Sequence, residues 1–465
     1  MKISALFKKP DLNMTSGNIA WLLIKFAIPL LIGYLFQQMY STVDLFVVGH
    51  YVNDSAYAAI GAVTVIINAL IGFFMGLSAG AGVVISQYYG AGEEENASRA
   101  VHTILLMTLI MAVISTALGV TLTPFFLRLV HLSGQTYEEG RIYLTIYFAG
   151  VSGLMFYNTG AGILRAVGDS TRPFIFLVIT AVLNTVLDIV FVTVIDLGVA
   201  GVAYATIASQ IISAVLVIIV LVRSKSPAYK LYLKRLRIHR DMLLKIVRIG
   251  IPSAIQMAIT SFSNVFVQSY IVDLGDAVLG GYTSYARIDG FTLLPVQSIS
   301  LAATTFVGQN LGAGDVERAK KGTRTALLLS LAATLICIIP ILIFAEQLAA
   351  IFNTSPAIVE AGALILRLMS PFYLFCCFNQ IYAGVLRGAG AALAPMLIML
   401  FSFVFLRQIY LFIIRQIAYS VVWVLFGYPL GWMVCSLLCY LYYRLAHWEK
   451  YRITGAPPKD SQPGQ

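Results

Sequence analysis

Long apolar stretches separated by short polar segments dominate the pattern along the chain. Each stretch runs for about 20 residues with few charges, which is the length that an α-helix needs to cross a bilayer. None of them alternates apolar and polar positions over about ten residues, as a transmembrane β-strand does. The pattern therefore predicts twelve transmembrane helices. The predicted spans are residues 19–49, 55–80, 98–123, 141–165, 173–195, 199–222, 248–272, 277–302, 322–345, 361–386, 394–416 and 419–444.

Composition agrees with a chain that is solvated mainly by lipid. Of its 465 residues 59% are hydrophobic and only 11% are charged, and the mean hydropathy is +0.86. Soluble domains carry about 25% charged residues, so an array of soluble domains is excluded. The first apolar stretch is too long for the core of a cleavable signal peptide, and we expect it to be a retained helix. The predicted fold class is an all-α integral membrane protein.

The distribution of basic residues predicts the orientation. With the N-terminus in the cytoplasm, 24 of the 31 Lys and Arg fall on the cytoplasmic side and three, Arg128, Arg141 and Arg415, on the other. Such a bias matches the positive-inside rule, and it places both termini in the cytoplasm. The basic segment from Arg223 to Arg248 is the one clear organisational break. A topological anchor between two halves is the simpler interpretation of it, and a binding site for anionic lipid headgroups is the alternative.

The two halves of the chain resemble each other in sequence. Gln87–Gly92 (QYYGAG) matches Gln309–Gly314 (QNLGAG) at an offset of 222, and the Leu-Arg pairs at 164–165 and 386–387 match at the same offset. An even number of spans in each half predicts two six-helix lobes related by a pseudo-two-fold axis along the membrane normal, with a cavity at their interface. The predicted segments are a cytoplasmic arm 1–18, an N-terminal lobe 19–222, a basic linker 223–247, a C-terminal lobe 248–444 and a cytoplasmic tail 445–465.

Catalytic and nucleotide-binding motifs are missing from the sequence. The Gly-Ala-Gly loops lack the GxxxxGK[ST] pattern of a phosphate-binding loop, which disfavours an ATP-driven pump. The five histidines and five cysteines form no HExxH, CxxC or clustered ligand pattern. We therefore expect no enzymatic activity, no cofactor and no structural metal.

Three predicted helices carry polar side chains along one face. An ionised group at bilayer depth costs roughly 2.5–3.5 kcal/mol on insertion scales, so such residues need a compensating role. Residues three, four or seven positions apart share a helix face. The three stripes are Gln37, Ser41 and Asp44 with Tyr40 beside them, then Thr180, Asn184 and Asp188, and finally Thr206, Gln210 and Ser213.

Two carboxylates that face one cavity have two chemical uses. Like charges close together favour a proton on one of them. Asp44 and Asp188, together with Asn184 and Thr206, also offer the hard oxygen ligands that bind Ca²⁺ and Mg²⁺, and we extend that chemistry to Na⁺. The alternative is that both aspartates only bridge helices through hydrogen bonds, although Ser, Thr or Asn would do so at lower cost.

The second half does not repeat these carboxylates. At the repeat offset Asp44 corresponds to Val267 and Asp188 to Tyr410. The sequence thus predicts a duplicated fold whose acidic site is confined to the first half.

Arg407 is a charged residue in the middle of the eleventh span. It is either a counter-ion for a carboxylate or for an anionic substrate group, or part of a structural network with Gln408. Arg287 and Asp289 in the eighth span are two positions apart, so they point in different directions and are not an obvious pair.

Together these motifs resemble the multidrug and toxic compound extrusion (MATE) transporters from about Ile19 to Arg444. The resemblance implies two six-helix lobes, a central cleft, and export of organic compounds in exchange for Na⁺ or H⁺. It also implies a cation site at Asp44, Asn184, Asp188 and Thr206. Carboxylates that other members carry in the C-terminal lobe have no match in the seventh and tenth spans. The motifs are Pro29 fifteen residues before Asp44, Val48-Gly49, the paired Gln-x-x-Gly-Ala-Gly loops, Leu-Arg-x-x-Gly ahead of Pro173 and Pro395, Asn184-x-x-Leu187-Asp188, and the segment from Gly198 to Thr206.

The leading hypothesis is a multidrug antiporter that expels amphipathic, often cationic compounds by alternating access. A flippase for a lipid-linked or polyanionic precursor is the alternative. We expect a monomer in the plasma membrane that handles small organic substrates, binds no nucleic acid and uses Na⁺ or H⁺ as the coupling ion. The candidate residues of the substrate cleft are Gln37, Tyr40, Ser41, Thr180, Gln210 and Arg407.

Overall fold

A computed structural model describes residues 12–454 of the chain, and all regular secondary structure in that range is helical. Eight side chains inside two helices lie outside the described part. They belong to Tyr40, Ser41, Leu45, Ile259, Thr260, Ser261, Phe262 and Val265.

Long helices follow one another with short connections along the whole described range. The α-helices are α1 Ile19–Tyr51, α2 Asp54–Gly90, α3 Glu94–Leu129, α4 Gly134–Ala149, α5 Val151–Ala166, α6 Thr171–Ile189, α7 Gly198–Arg223, α8 Arg240–Val272, α9 Asp276–Thr292, α10 Leu294–Gly312, α11 Val316–Ile343, α12 Ala345–Ala350, α13 Pro356–Met369, α14 Tyr373–Ala389, α15 Leu393–Met399, α16 Arg407–Ile417 and α17 Val421–Leu445. Two segments are π-helical. Val190–Val194 continues α6, and Leu400–Leu406 joins α15 to α16.

Each of the twelve predicted spans coincides with one helix or with a pair of consecutive helices. By length and composition, ten helical segments of the described residues are able to cross a membrane. The predicted span 141–165 is divided between α4 and α5 at Gly150, and the span 277–302 between α9 and α10 at Leu293. The all-helical membrane fold is confirmed, and the number of twelve transmembrane helices stays a prediction.

The described residues form two compact units. The first comprises the residues up to Asn13 together with Ile32–Gly250, and the second comprises Met14–Leu31 together with the residues from Ile251 onward. Helix α1 therefore contributes its first part to the second unit and its remainder to the first. Helix α8 likewise contributes its first turns to the first unit and its remainder to the second.

Each unit has its own apolar core. In the first unit Val48, Leu127 and Leu144 are fully buried in a cluster that draws on α1 to α4 and α7. In the second unit Tyr373 and Leu411 are fully buried in a cluster that draws on α8, α9, α11 to α14, α16 and α17. Many other apolar side chains are exposed, as expected where a helix faces lipid.

The two Gly-Ala-Gly loops have the same local structure in the two units. The second glycine of each loop, Gly92 and Gly314, has a positive φ, of 74° and 78°. The Glu93 amide donates to the Tyr88 carbonyl at 2.9 Å, and the Asp315 amide donates to the Asn310 carbonyl at 2.8 Å. Each of these bonds closes a turn back onto the preceding helix. Glycine adopts this left-handed conformation without steric cost. The loops therefore end α2 and α10.

The basic linker is docked along the first unit. The Tyr232 amide donates to His102 Nε2 at 3.1 Å, and the His239 amide donates to Thr103 Oγ1 at 3.1 Å. The N-terminal segment is held in a comparable way within the second unit, where the Met14 amide donates to Gln309 Oε1 at 3.2 Å. Polar residues near the two repeated motifs thus hold the segments that precede α1 and α8.

Candidate functional site

The candidate site lies in the first unit, where α1, α6 and α7 carry the three polar stripes. Helix α6 ends at Ile189 and passes into the π-helical segment Val190–Val194. Asp188 thus occupies the last turn before the backbone widens, a feature that is frequent at functional sites.

Asp44 of α1 and Asp188 of α6 are brought together. Their carboxyl groups lie within hydrogen-bonding reach of each other, and Asp188 is fully buried. No other group of the described residues donates a hydrogen bond to Asp44 Oδ1 or to either carboxyl oxygen of Asp188. Asp44 is half-buried. Two carboxylates in contact, one of them fully buried and without a donor among the described residues, repel each other unless a proton or a cation lies between them.

Asn184 lies one turn before Asp188 on the same face of α6. It is 2% exposed, and within the described residues neither its Oδ1 nor its Nδ2 has a hydrogen-bond partner. A buried amide with both groups unsatisfied is unusual, because each costs about 1–3 kcal/mol. The amide oxygen is therefore available as a further ligand beside the carboxylate pair.

Thr206 lies on α7, which packs against α6. Its hydroxyl donates to the Val202 carbonyl of its own helix at 3.0 Å. A hydroxyl oxygen that donates its proton in this way keeps its lone pairs, so Thr206 retains the acceptor capacity that a cation requires.

The other polar residues of the stripes have different surroundings. Ser213 of α7 donates to Thr180 of α6 at 2.8 Å, and Thr180 donates to the Phe176 carbonyl at 2.9 Å, so this pair joins two helices. Gln210 lies beside Tyr147 of α4. Gln37 lies half-buried on α1. The side chains of Tyr40 and Ser41 lie outside the described residues.

The donor set favours a hard cation or a proton over a transition metal. Carboxylate, amide and hydroxyl oxygens suit hard cations, whereas transition metals are commonly held by imidazole or thiolate. No group of three or more His, Cys, Asp or Glu that could hold a metal comes together within residues 12–454.

Arg407 lies in the second unit, at the start of α16. It is 2% exposed, and it bonds to Ser263 and Asn264 of α8 rather than to Gln408. The hydrogen bonds of Arg407 within the described residues go to Phe403, Asn264 and Ser263, so the structural contacts of Arg407 involve these residues and not its neighbour Gln408. Arg407 also lacks the carboxylate counter-ion that the sequence left open, because none of the ion pairs in the described residues includes it.

A polar cavity of about 400 Å³ surrounds Arg407, and most of its residues were missed at the sequence level. Its walls include Asp289, Asn379 and the tyrosines 282 and 285. A signal for part of it exists, because Tyr282, Tyr285 and Asp289 are spaced three and seven positions apart, which places them on one face of α9.

Comparisons with known proteins identify the family. The MatE family model matches residues 29–190 and matches again at residues 252–413, which confirms the internal repeat. The probable multidrug resistance protein YoeA of Bacillus subtilis (strain 168) is 28% identical over 438 residues, which cover 92% of this chain and 94% of that protein. The probable multidrug resistance protein YpnP of the same organism is 27% identical, with 95% and 98% covered.

A solved structure agrees with this family. A MATE protein crystallised in complex with MaL6 superimposes with a TM-score of 0.89 at 25% identity, covering 95% of this chain and all of that one. The family model alone matches more than half of the chain. The chain therefore belongs to the MATE family of multi-pass membrane transporters and is a transporter rather than an enzyme.

Proposed function

We propose that this protein is a secondary active exporter of organic, often cationic and amphipathic compounds, which takes up Na⁺ or H⁺ in exchange. The coupling site in this proposal is formed by Asp44, Asn184, Asp188 and Thr206. The names of the multidrug resistance relatives support the substrate class and disfavour a flippase for lipid-linked precursors.

The observation that carries the proposal is the pair of adjacent carboxyl groups of Asp44 and Asp188, with no donor among the described residues to either oxygen of Asp188. In a low-dielectric site both groups are stable together only when a proton or a cation compensates their charge. Occupancy of the site therefore changes the free energy of the arrangement around α1 and α6. This dependence on the ion is what a coupled transporter requires.

Exchange follows if the site is loaded from outside and emptied inside. Each positive charge that moves inward gains about 2.3 kcal/mol per 100 mV of membrane potential. Binding at Asp44 and Asp188 would favour the arrangement that releases substrate outward. In this proposal the polar residues Gln37, Tyr40, Ser41, Thr180 and Gln210 of the first unit face the substrate. The protein works as a monomer in the plasma membrane with both termini cytoplasmic.

The test is transport of a fluorescent organic cation into or out of vesicles that contain the purified protein. A sodium gradient and a pH gradient are imposed separately, so that the coupling ion is identified. Asp44→Asn removes one charge of the pair while keeping its shape. We expect gradient-driven transport to fall at least tenfold in this variant. Full gradient-driven transport in Asp44→Asn would exclude Asp44 from the mechanism.

Asp54→Asn provides the matched control. Asp54 lies in the first turn of α2, in the same unit, and is exposed. Because its charge is solvated, its removal leaves transport within about twofold of the unmodified protein. Circular dichroism of both variants establishes that the helices are intact.

A further inference from the structure

The cavity in the second unit is chemically distinct from the proposed coupling site. It has a volume of about 400 Å³ and is lined by Arg407, Asp289, several amides and a group of aromatic rings. Asp44 and Asp188 belong to the first unit. The role of this cavity is therefore a separate question from ion coupling.

Arg407 is a buried cation without an acidic partner in the part of the chain that the structure describes. Its three hydrogen bonds go to neutral acceptors, with Nε donating to the Phe403 carbonyl at 2.9 Å and Nη2 to Ser263 Oγ at 2.6 Å. The third, from Nη1 to Asn264 Oδ1, is long at 3.4 Å. A guanidinium stays charged in proteins and carries five N–H donors. These contacts leave N–H groups for a further acceptor.

The acid in the cavity does not neutralise Arg407. Asp289 accepts a hydrogen bond from Tyr285 at 3.2 Å and forms no ion pair with Arg407. Tyr282 interacts with both charged groups, and its hydroxyl lies 2.7 Å from the hydroxyl of Tyr428. The positive charge of Arg407 is therefore unbalanced in a buried site, which is costly unless a ligand supplies the anion.

Aromatic rings form the wall beside the guanidinium. The ring of Tyr428 lies 4.8 Å from the Arg407 guanidinium carbon and the ring of Phe403 lies 5.6 Å from it. Trp432 lies 6.0 Å from Tyr428, measured between ring centroids. This wall offers a flat ligand ring the offset or edge-to-face contacts that aromatic pairs prefer.

Asn379 supplies a second, independent indication of a ligand. It lines the cavity, it is 1% exposed, and no hydrogen-bond partner within residues 12–454 reaches its Oδ1 or Nδ2. Buried amides are almost always satisfied. A bound molecule with a polar group would satisfy this one.

We propose that the cavity of the second unit binds the carboxylate of an aromatic organic acid on Arg407. The planar carboxylate matches the guanidinium fork, the ring of the ligand packs against Tyr428 and Trp432, and Asn379 bonds to a polar group of the ligand. The guanidinium of Arg407 balances one negative charge on the ligand. A phosphate dianion would need further cations, which the walls of the cavity do not provide.

The test measures binding of three probes to the purified full chain by isothermal titration calorimetry, and the probes share a biphenyl ring system but differ in the charge of their polar group. The probes are biphenyl-4-carboxylate, the neutral 4-phenylbenzyl alcohol and the cationic 4-phenylbenzylammonium. We expect the carboxylate to bind at least tenfold more tightly than the alcohol and the ammonium to bind most weakly. Equal binding of the three probes, or preference for the ammonium, would overturn the proposal without any variant being made.

Two variants, Arg407→Gln and Arg407→Lys, test whether the preference for the carboxylate over the alcohol depends on Arg407. The glutamine variant should bind carboxylate and alcohol equally, and the lysine variant should keep a reduced preference for the carboxylate because it keeps the charge. Arg415→Gln is the matched control on the same helix, because Arg415 is exposed and paired with Asp273 at 3.1 Å. Unchanged preference in Arg407→Gln would overturn the proposal. No ion gradient is present, so this outcome is independent of the Asp44 test.

Discussion

Asp169 illustrates how a single buried side chain supports the start of a helix. Its carboxylate forms an ion pair with the Arg172 guanidinium at 3.3 Å, and its Oδ1 accepts a hydrogen bond from the Arg172 amide at 3.1 Å. Both residues are buried. The carboxylate also lies near the positive end of the α6 dipole. Three favourable interactions therefore depend on one residue.

Asp169→Ala should destabilise the protein by about 3–5 kcal/mol, because it leaves the Arg172 charge buried and unpaired. Thermal unfolding in detergent measures the effect. Glu95→Ala is the control, since Glu95 and Arg99 form an exposed pair at 2.6 Å that is worth about 0–1 kcal/mol. Equal losses in the two variants would contradict the assigned role of burial.

The two sites differ in how far the sequence could predict their residues. Asn184 and Asp188 are one turn apart on one helix, so spacing alone places them on one face. The partners of Arg407 could not be found in this way, because Ser263 and Asn264 are more than 140 positions away in the chain. Local periodicity predicts which face a residue occupies, and only tertiary packing determines what that face meets.

Helices α2 and α8 approach each other closely where Gly80 meets Gly250. A Cβ atom on Gly80 of α2 would lie 2.3 Å from the Gly250 Cα of α8, and real Cβ atoms do not come this close to backbone. Small residues at such crossings let helix backbones pack against each other in membranes.

Gly80→Ala should therefore force α2 and α8 apart and destabilise the first unit by about 1–3 kcal/mol. Gly61→Ala in the same helix is the matched control, because no atom lies within 4 Å of its added Cβ. Alanine is the better helix former, by roughly 0.5–1 kcal/mol, so the control should be neutral or slightly stabilised. Unfolding midpoints in detergent compare the stabilities of the two variants. A loss of stability in Gly61→Ala alone would refute this explanation.

Helices were predicted better than the breaks within them. All twelve apolar spans coincide with helices, because apolar length reports which segments leave water. The division at Gly150 and the π-helical segment Leu400–Leu406 lie within continuous apolar runs. Hydropathy contains no information about the hydrogen-bond register of the backbone, so these features required the structure.

The whole molecule combines a duplicated fold with different chemistry in its two units. The family model matches both halves, and the Gly-Ala-Gly turns at Gly92 and Gly314 have nearly the same backbone conformation. The adjacent carboxyl groups of Asp44 and Asp188 occur in the first unit alone, where the repeat gives the second unit Val267 and Tyr410. The second unit instead has a buried arginine in a polar cavity. Duplication thus preserved the helices while the polar side chains diverged.

The orientation of the whole molecule in the membrane depends on the basic linker. Moving basic residues across a membrane is unfavourable, so the linker with its concentration of Lys and Arg should stay in the cytoplasm. Lys234 in the linker and Gln135 at the start of α4 are both exposed. In a variant whose five native cysteines are replaced, Lys234→Cys and Gln135→Cys are introduced separately. A membrane-impermeant maleimide added to intact cells should label Gln135→Cys and leave Lys234→Cys unlabelled.

Permeabilised cells provide the control, because both positions should then react to a similar extent. The opposite pattern in intact cells would invert the orientation, and labelling at both positions would place them on the same face. The sign of the electrical contribution to the proposed exchange is the same in either orientation, because the membrane potential acts on the charge that moves and drives a cation inward whichever way the protein is inserted.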